Sequence, residues 1–217
     1  MAQKLKLAVV TGGHPFPVPA FRTLFGRMDG IDPYPQDLDN LAVGREWYDA
    51  YIFYNMHYWG TLSVRKDMDG PIAKALDRLG ETEAGVFVWH HALLSFHDTP
   101  VSDAWTAITG LSNRKLRGCA LAEIDTHVAV GDHPITQGLS DFAIADEFFK
   151  LDEPGEGSQV LLTTDNPQST RALAWTRQHK NARIFCYQSG HAESAYSDPN
   201  FSRPHPRDRV GRPEDLA

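Results

Sequence analysis

A chain of 217 residues, 41% hydrophobic and 23% charged, has the composition of an ordinary globular protein and is read as one domain over residues 1–201. At that length folding buries about 70–75% of the unfolded chain's surface, so neither disulfides nor a structural metal are needed to complete a core. A net charge of −7 with both signs dispersed argues against a nucleic-acid backbone or an anionic membrane as the main partner.

The two cysteines, Cys119 and Cys186, are far apart and outside any CxxC pattern, so they form no disulfide framework and no cysteine zinc site. The apolar part of MAQKLKLAVVTGG is too short for a signal-peptide core, and no later segment approaches a membrane-spanning length. A cytoplasmic location is expected.

Short β-branched and aromatic runs alternate with longer amphipathic stretches, the pattern of strands joined by crossover helices around a largely parallel sheet. The first strand is expected from Leu5 to Val10, stopped by Thr11-Gly12-Gly13. A helix follows over Pro19–Met28, where Phe21, Leu24, Phe25 and Met28 recur at helical spacing. The segment between Met28 and Leu41 is polar and proline-broken and gives no assignment. Tyr51–Tyr54 is the next strand, Pro71–Leu79 a helix with Ile72, Ala75, Leu76 and Leu79 on one face, and Val86–Trp89 a strand.

Beyond Gly110, Ala120–Val130 and Gln159–Thr164 are separated by DHPITQGL and FAIADEFFKL, which suggests a strand-rich insertion on the sheet. Leu173–Thr176 and Arg183–Tyr187 bracket a polar turn and predict a hairpin. Residues 202–217, SRPHPRDRVGRPEDLA, offer almost nothing to bury and are expected to form a poorly ordered tail.

Three predicted strands end in histidine: VVTGGH at His14, VFVWHH at His90 and His91, and IFCYQSGH at His191. In an open α/β sheet ligands sit outside the carboxyl ends of the strands, so these imidazoles are candidates for one crevice. Neutral imidazole is both the commonest metal ligand and a good general base near pH 7. His14, His90, His91 and His191, with Glu147 as carboxylate, are therefore candidate ligands of a divalent ion such as Zn²⁺, Mn²⁺ or Mg²⁺. His191, Glu193 and His91 are candidate proton-transfer residues, with Glu193 orienting His191.

A strand would point His90 and His91 to opposite faces, so one of the two is expected in the site. Trp89, Tyr54 and Trp59 are candidate stacking surfaces for a sugar ring. His57, His97, His127, His133, His179 and His205 are read as solvated or structural.

VVTGGHPF, YDAYIFYNM, VFVWHHAL, DHPITQGLSDF with DEFF after it, VLLTTDNP, ALAWTR and RIFCYQSGH, in that order, resemble the ThuA-like family, named for trehalose utilisation. The likeness runs from about Leu7 to Phe201. It implies the fold of the class I glutamine amidotransferases: a flavodoxin-like, mostly parallel sheet with helices on both faces. Those enzymes carry a cysteine nucleophile on a sharp turn after a strand and a His-x-Glu after a later one. His191-Ala192-Glu193 matches the second element, while the turn after Val86–Trp89 carries histidines and no GxCxG occurs. The resemblance implies that glutaminase chemistry is absent and that the crevice was kept for other work.

It also implies sugar catabolism, on a disaccharide or its 3-keto derivative, by hydrolysis, elimination or isomerisation. The alternative is a carbohydrate-binding or regulatory protein without turnover. Members usually close with an apolar helix where this chain has its proline- and arginine-rich tail; apolar surface uncovered there implies either a homodimer contact or a weakened fold, and a homodimer is expected.

Overall fold

The computed structural model describes residues 4–44, 47–57 and 66–202. Trp59 and residues 203–217, most of the expected tail, lie outside the described residues. Ser202, assigned to that tail from sequence, ends the last helix.

Among the described residues nine strands form the sheet, in the order β2-β1-β3-β4-β9-β8-β7-β5-β6. The first five are all parallel. They comprise β1 (Leu5–Gly12), β2 (Ile31–Gln36), β3 (Ala50–Asn55), β4 (Gly85–Trp89) and β9 (Ala182–Tyr187). Their order is the flavodoxin-like one, with β9 in the place of the fifth strand. β3 and β4 are buried along their whole length, as expected of strands covered by helices on both sides.

Successive side chains leave a strand on opposite faces, so these strands feed two cores. Ala8, Val10, Phe53, Val86 and Val88 pack with α2 (Leu38–Val43), α3 (Asp69–Arg78) and α4 (Ser102–Thr109). Leu7, Val9, Ile52, Phe87 and Phe185 pack with α1 (Val18–Gly26), α5 (Glu193–Ser197) and α6 (Pro199–Ser202).

The other half of the sheet corrects the expectation of a mostly parallel one. β8 (Ala172–His179) pairs antiparallel with β9, as the predicted hairpin requires. β7 (Ser158–Thr163), β5 (Cys119–Val128) and β6 (Phe142–Phe149) continue by antiparallel pairings. The sheet is therefore mixed, because the insertion is made of hairpins and hairpins can only add antiparallel strands.

β2 is the strand that the prolines hid. It lies at the sheet's edge and pairs only with β1, where Pro33 and Pro35 stand opposite Leu7 and Val9. Alternate residues aim their N–H groups to the same side, so both missing donors fall on the open edge, where they cost no ladder bond.

One departure from a flat sheet positions the site. β5 pairs with β7 only through His127 and Val128, and with β6 through Cys119–Thr126. The β5–β6 hairpin thus leaves the main sheet and folds across the strand ends. There the Phe149 N–H donates to Gln188 Oε1 at 2.6 Å and the Thr170 N–H to the Phe149 carbonyl at 2.9 Å.

Candidate functional site

Each histidine reaches the crevice by a separate backbone device. β1 ends in Gly12-Gly13, and Gly13 has φ +75°; a Cβ there would lie 2.3 Å from the Met56 carbonyl oxygen, so only glycine lets the chain turn against Met56 and present His14. β4 runs directly into a 3₁₀ turn over His90–Leu94, and His90 takes φ +53°. A non-glycine residue in the left-handed region stores strain of about 1–3 kcal/mol and marks a sharp strand-to-helix turn. A sharp strand-to-helix turn is present, and histidine occupies it.

That turn overturns the expectation that His90 and His91 face opposite sides of a strand. The strand has ended, and both rings are buried together, 5.1 Å between centroids. His14 lies 4.6 Å from His91 and 6.2 Å from His191, and His90 lies 5.3 Å from His191. The four imidazoles meet.

Within this group, three atoms converge more tightly. His90 Nε2 is 3.3 Å from Glu147 Oε2, His191 Nδ1 is 3.2 Å from the same oxygen, and the two nitrogens are 3.2 Å apart. His90 Nδ1 faces the Gln188 carbonyl at 2.7 Å, and because a carbonyl only accepts, Nδ1 carries the proton. In the neutral ring Nε2 is then a bare lone pair aimed at Glu147 and His191. Acceptors so close repel unless something positive, a proton or a metal cation, lies among them.

The dimensions suit a cation. Ligands held at about 2.0–2.1 Å around a tetrahedral ion stand about 3.3–3.4 Å apart, and these three donors form such a face. Two imidazoles and one carboxylate are also a common donor set for an ion that keeps a fourth position open. His14 and His91 flank the three without joining the face.

Electrostatics points the same way. Burial acts to raise the Glu147 pKa, but when His90 also carries a proton on Nε2 its hydrogen bond, that of the Cys119 thiol and the positive charges of His90 and His191 outweigh burial and hold the carboxyl at about 2, so this corner favours positive charge. Beside it Asp146 is 3% exposed and ionically unpaired among the described residues; its carboxylate accepts only backbone N–H groups. Among the described residues no Lys or Arg lies at ion-pair distance from either carboxylate, so positive charge must come from the His90 and His191 side or from a cation.

His91 differs from its neighbours. Burial, then the charges of His90 and His14, push its pKa down to about 2, against a weak opposing effect of the Asn55 backbone. Among the described residues neither ring nitrogen has a well-aligned hydrogen-bond partner, and the same holds for His14 Nδ1 and Asn55 Oδ1. Unpaired buried polar atoms cost about 1–3 kcal/mol each, which points to a polar occupant that would bond them.

The other expected residues stand elsewhere. Glu193 is exposed in the first turn of α5 and lines a crevice with Pro19, Thr23, Arg27 and Tyr196, while Glu147 takes the place expected of it beside His191. Trp89 is 2% exposed, donates from Nε1 to the Ser189 carbonyl and stacks on Phe21 and Phe87, so it belongs to the core. Tyr54 is 1% exposed; its hydroxyl donates to the Gly190 carbonyl and shares a 2.7 Å hydrogen bond with Tyr196. Neither ring presents a face to a sugar. Asp146 and Gln188, which hold the strand ends together, escape sequence reasoning, although Asp146 adjoins the carboxylate that was singled out.

Neither cysteine stands at the elbow. Cys186 lies buried within β9 with its thiol pKa driven up by desolvation, and Cys119 opens β5 with its pKa raised to about 12 by desolvation and by Glu147.

Comparison with solved structures agrees with this fold. A protein described as ThuA-like from Bacteroides uniformis superposes with a TM-score of 0.71 at 17% identity, over 96% of this chain and 92% of that one. A second, from Parabacteroides merdae, gives 0.67 at 16%, over 97% and 91%. A glutamine amidotransferase from Thermotoga maritima gives 0.56 at 9%, over 87% and 76%. At these identities the likeness is one of fold. No curated protein matches the sequence. The family model described as ThuA, trehalose utilisation, matches residues 39–205, and the chain belongs to that family.

Proposed function

We propose that the protein is an enzyme of carbohydrate breakdown, acting on a disaccharide or its 3-keto derivative, with a divalent cation held by His90, Glu147 and His191. The observation that carries this reading is the triangle of donor atoms with sides of 3.2–3.3 Å. When bound, such an ion acts as a Lewis acid toward a sugar carbonyl or hydroxyl. The choice of a divalent ion rests on two adjacent carboxylates, Asp146 and Glu147, that have no Lys or Arg partner among the described residues.

The chain's own residues supply the rest. Gln188 keeps the His90 proton on Nδ1 and so keeps Nε2 free to ligate. His91, neutral at working pH and without a well-aligned partner among the described residues, bonds a substrate hydroxyl and does not serve as an acid. His14 is half-buried beside His91 and His191, and its buried Nδ1 has no hydrogen-bond partner among the described residues, which suits it to exchange a proton with the substrate. Family membership supports the substrate class, and the histidine elbow supports a reaction other than glutamine hydrolysis.

Elemental analysis of protein purified without chelator, together with turnover of 3-keto-disaccharides by wild type and His191→Ala, tests the reading. About one ion per chain and product formation lost in the variant are expected. Metal-free protein that binds the sugar equally well in both forms and releases no product would instead establish a binding protein.

A further inference from the structure

We infer that Asp146 is the positioning residue of this ion site: its carboxylate clips the Gly190–His191 turn onto β6 and so sets His191 against Glu147. The inference rests on the ion reading above. Asp146 and Glu147 are consecutive on β6, opposite Ala122 and Leu121, so their side chains leave the strand on opposite faces. One strand therefore supplies both a donor and the clip for its neighbour.

The clip is built from charge-assisted hydrogen bonds, the stronger kind. Asp146 Oδ2 accepts the Gly190 N–H at 2.5 Å and Oδ1 accepts the His191 N–H at 3.0 Å, while Oδ1 also takes the Glu147 N–H at 2.8 Å. The two residues whose donors must meet, Glu147 and His191, thus hang from one buried carboxylate through their own backbones. Behind the turn, Gly190 packs so closely on Trp89 that a Cβ would lie 2.0 Å from its Nε1, which stops the turn from receding. The clip pulls from one side and the indole blocks the other.

The carboxylate has a second effect. Buried without a Lys or Arg partner among the described residues, it leaves negative charge beside the donor triangle, and a cation there supplies the compensation. Asp146 thus favours the ion electrostatically while touching neither ion nor substrate.

The test uses the full chain and Co²⁺, whose visible bands report ligand geometry. Asp146→Asn is expected to weaken Co²⁺ binding by about 10–100-fold, the usual cost of losing an outer partner, and to shift the visible spectrum. Unchanged affinity and spectrum in a folded variant would overturn the role of Asp146 and leave the ion reading intact. A wild-type chain that takes up no Co²⁺ would defeat the ion reading and this inference with it. Should Asp146→Asn fail to fold, hydrogen exchange of wild-type peptides spanning Gly190 and His191 decides: Co²⁺ should slow those amides at least about tenfold, since ion and clip stabilise the same turn. No slowing would reject the coupling.

Discussion

His90 Nε2 and His191 Nδ1 lie 3.2 Å apart although 101 residues separate them in the chain. Both are held from behind, His90 by the Gln188 carbonyl and His191 through its backbone by Asp146. Two side chains from different strand ends, His90 oriented by the segment that itself carries His191 and His191 held by Asp146 of β6, form a site prepared before any ligand arrives.

Removing one corner of the triangle should abolish ion binding and spare the fold. His191→Ala and Glu147→Gln are expected to lose affinity by more than the roughly 10–100-fold typical of an outer partner. Cys119→Ala, which removes the thiol donor 3.0 Å from Glu147 Oε1, should fall within that range, and Cys119→Ser should stay near wild type. Calorimetric titration with Zn²⁺ separates the three levels; equal affinities throughout would contradict the assignment.

The protonation of His91 makes a second prediction. Its folded pKa of about 2 lies below the ordinary value of 6.5, so below pH 6.5 the unfolded chain binds a proton that the native chain refuses. This residue therefore subtracts stability as pH falls from about 6.5 toward 2, and its ring should show no titration in NMR spectra between pH 8 and 4. A His91 shift change centred near pH 6 would show that the ring is solvated.

Gly190→Ala should be among the more damaging single changes. A Cβ would clash with Trp89 at a φ of +127°, and strain of this kind with the displaced indole costs about 2–4 kcal/mol. Gly131→Ala, with nothing within 4 Å of the added carbon, is the control and should change stability by under about 0.5 kcal/mol. Urea unfolding of both variants measures the difference.

The histidine elbow predicts an absence of thiol chemistry. Cys186 should resist iodoacetamide in the native state, Cys119 should react slowly because its pKa is raised to about 12, and glutamine should yield no ammonia. Ammonia release that is lost in Cys119→Ser would refute this.

Much of the fold was legible because it depends on local pattern. The buried runs at β1, β3 and β4, the helical spacing of Phe21, Leu24 and Phe25, and the β8–β9 hairpin all follow from side-chain period and turn residues. β2 was not, since Pro33 and Pro35 read as breakers until an edge position makes them harmless. Trp89 and Tyr54 misled for a related reason: an aromatic at a strand end can face the crevice or the core, and residue type does not choose between them.

The sequence alone showed that histidines end three strands, that no GxCxG occurs after Val86–Trp89, where a histidine pair stands, and that Glu147 offers a carboxylate. Only the tertiary structure decided which atoms meet. The β5–β6 hairpin folds over the strand ends to bring Glu147 to His90 and His191, and a 3₁₀ turn in place of continued strand puts both His90 and His91 inside. Those outcomes depend on long-range pairing and on a left-handed backbone at His90, neither of which leaves a periodic signal in the chain.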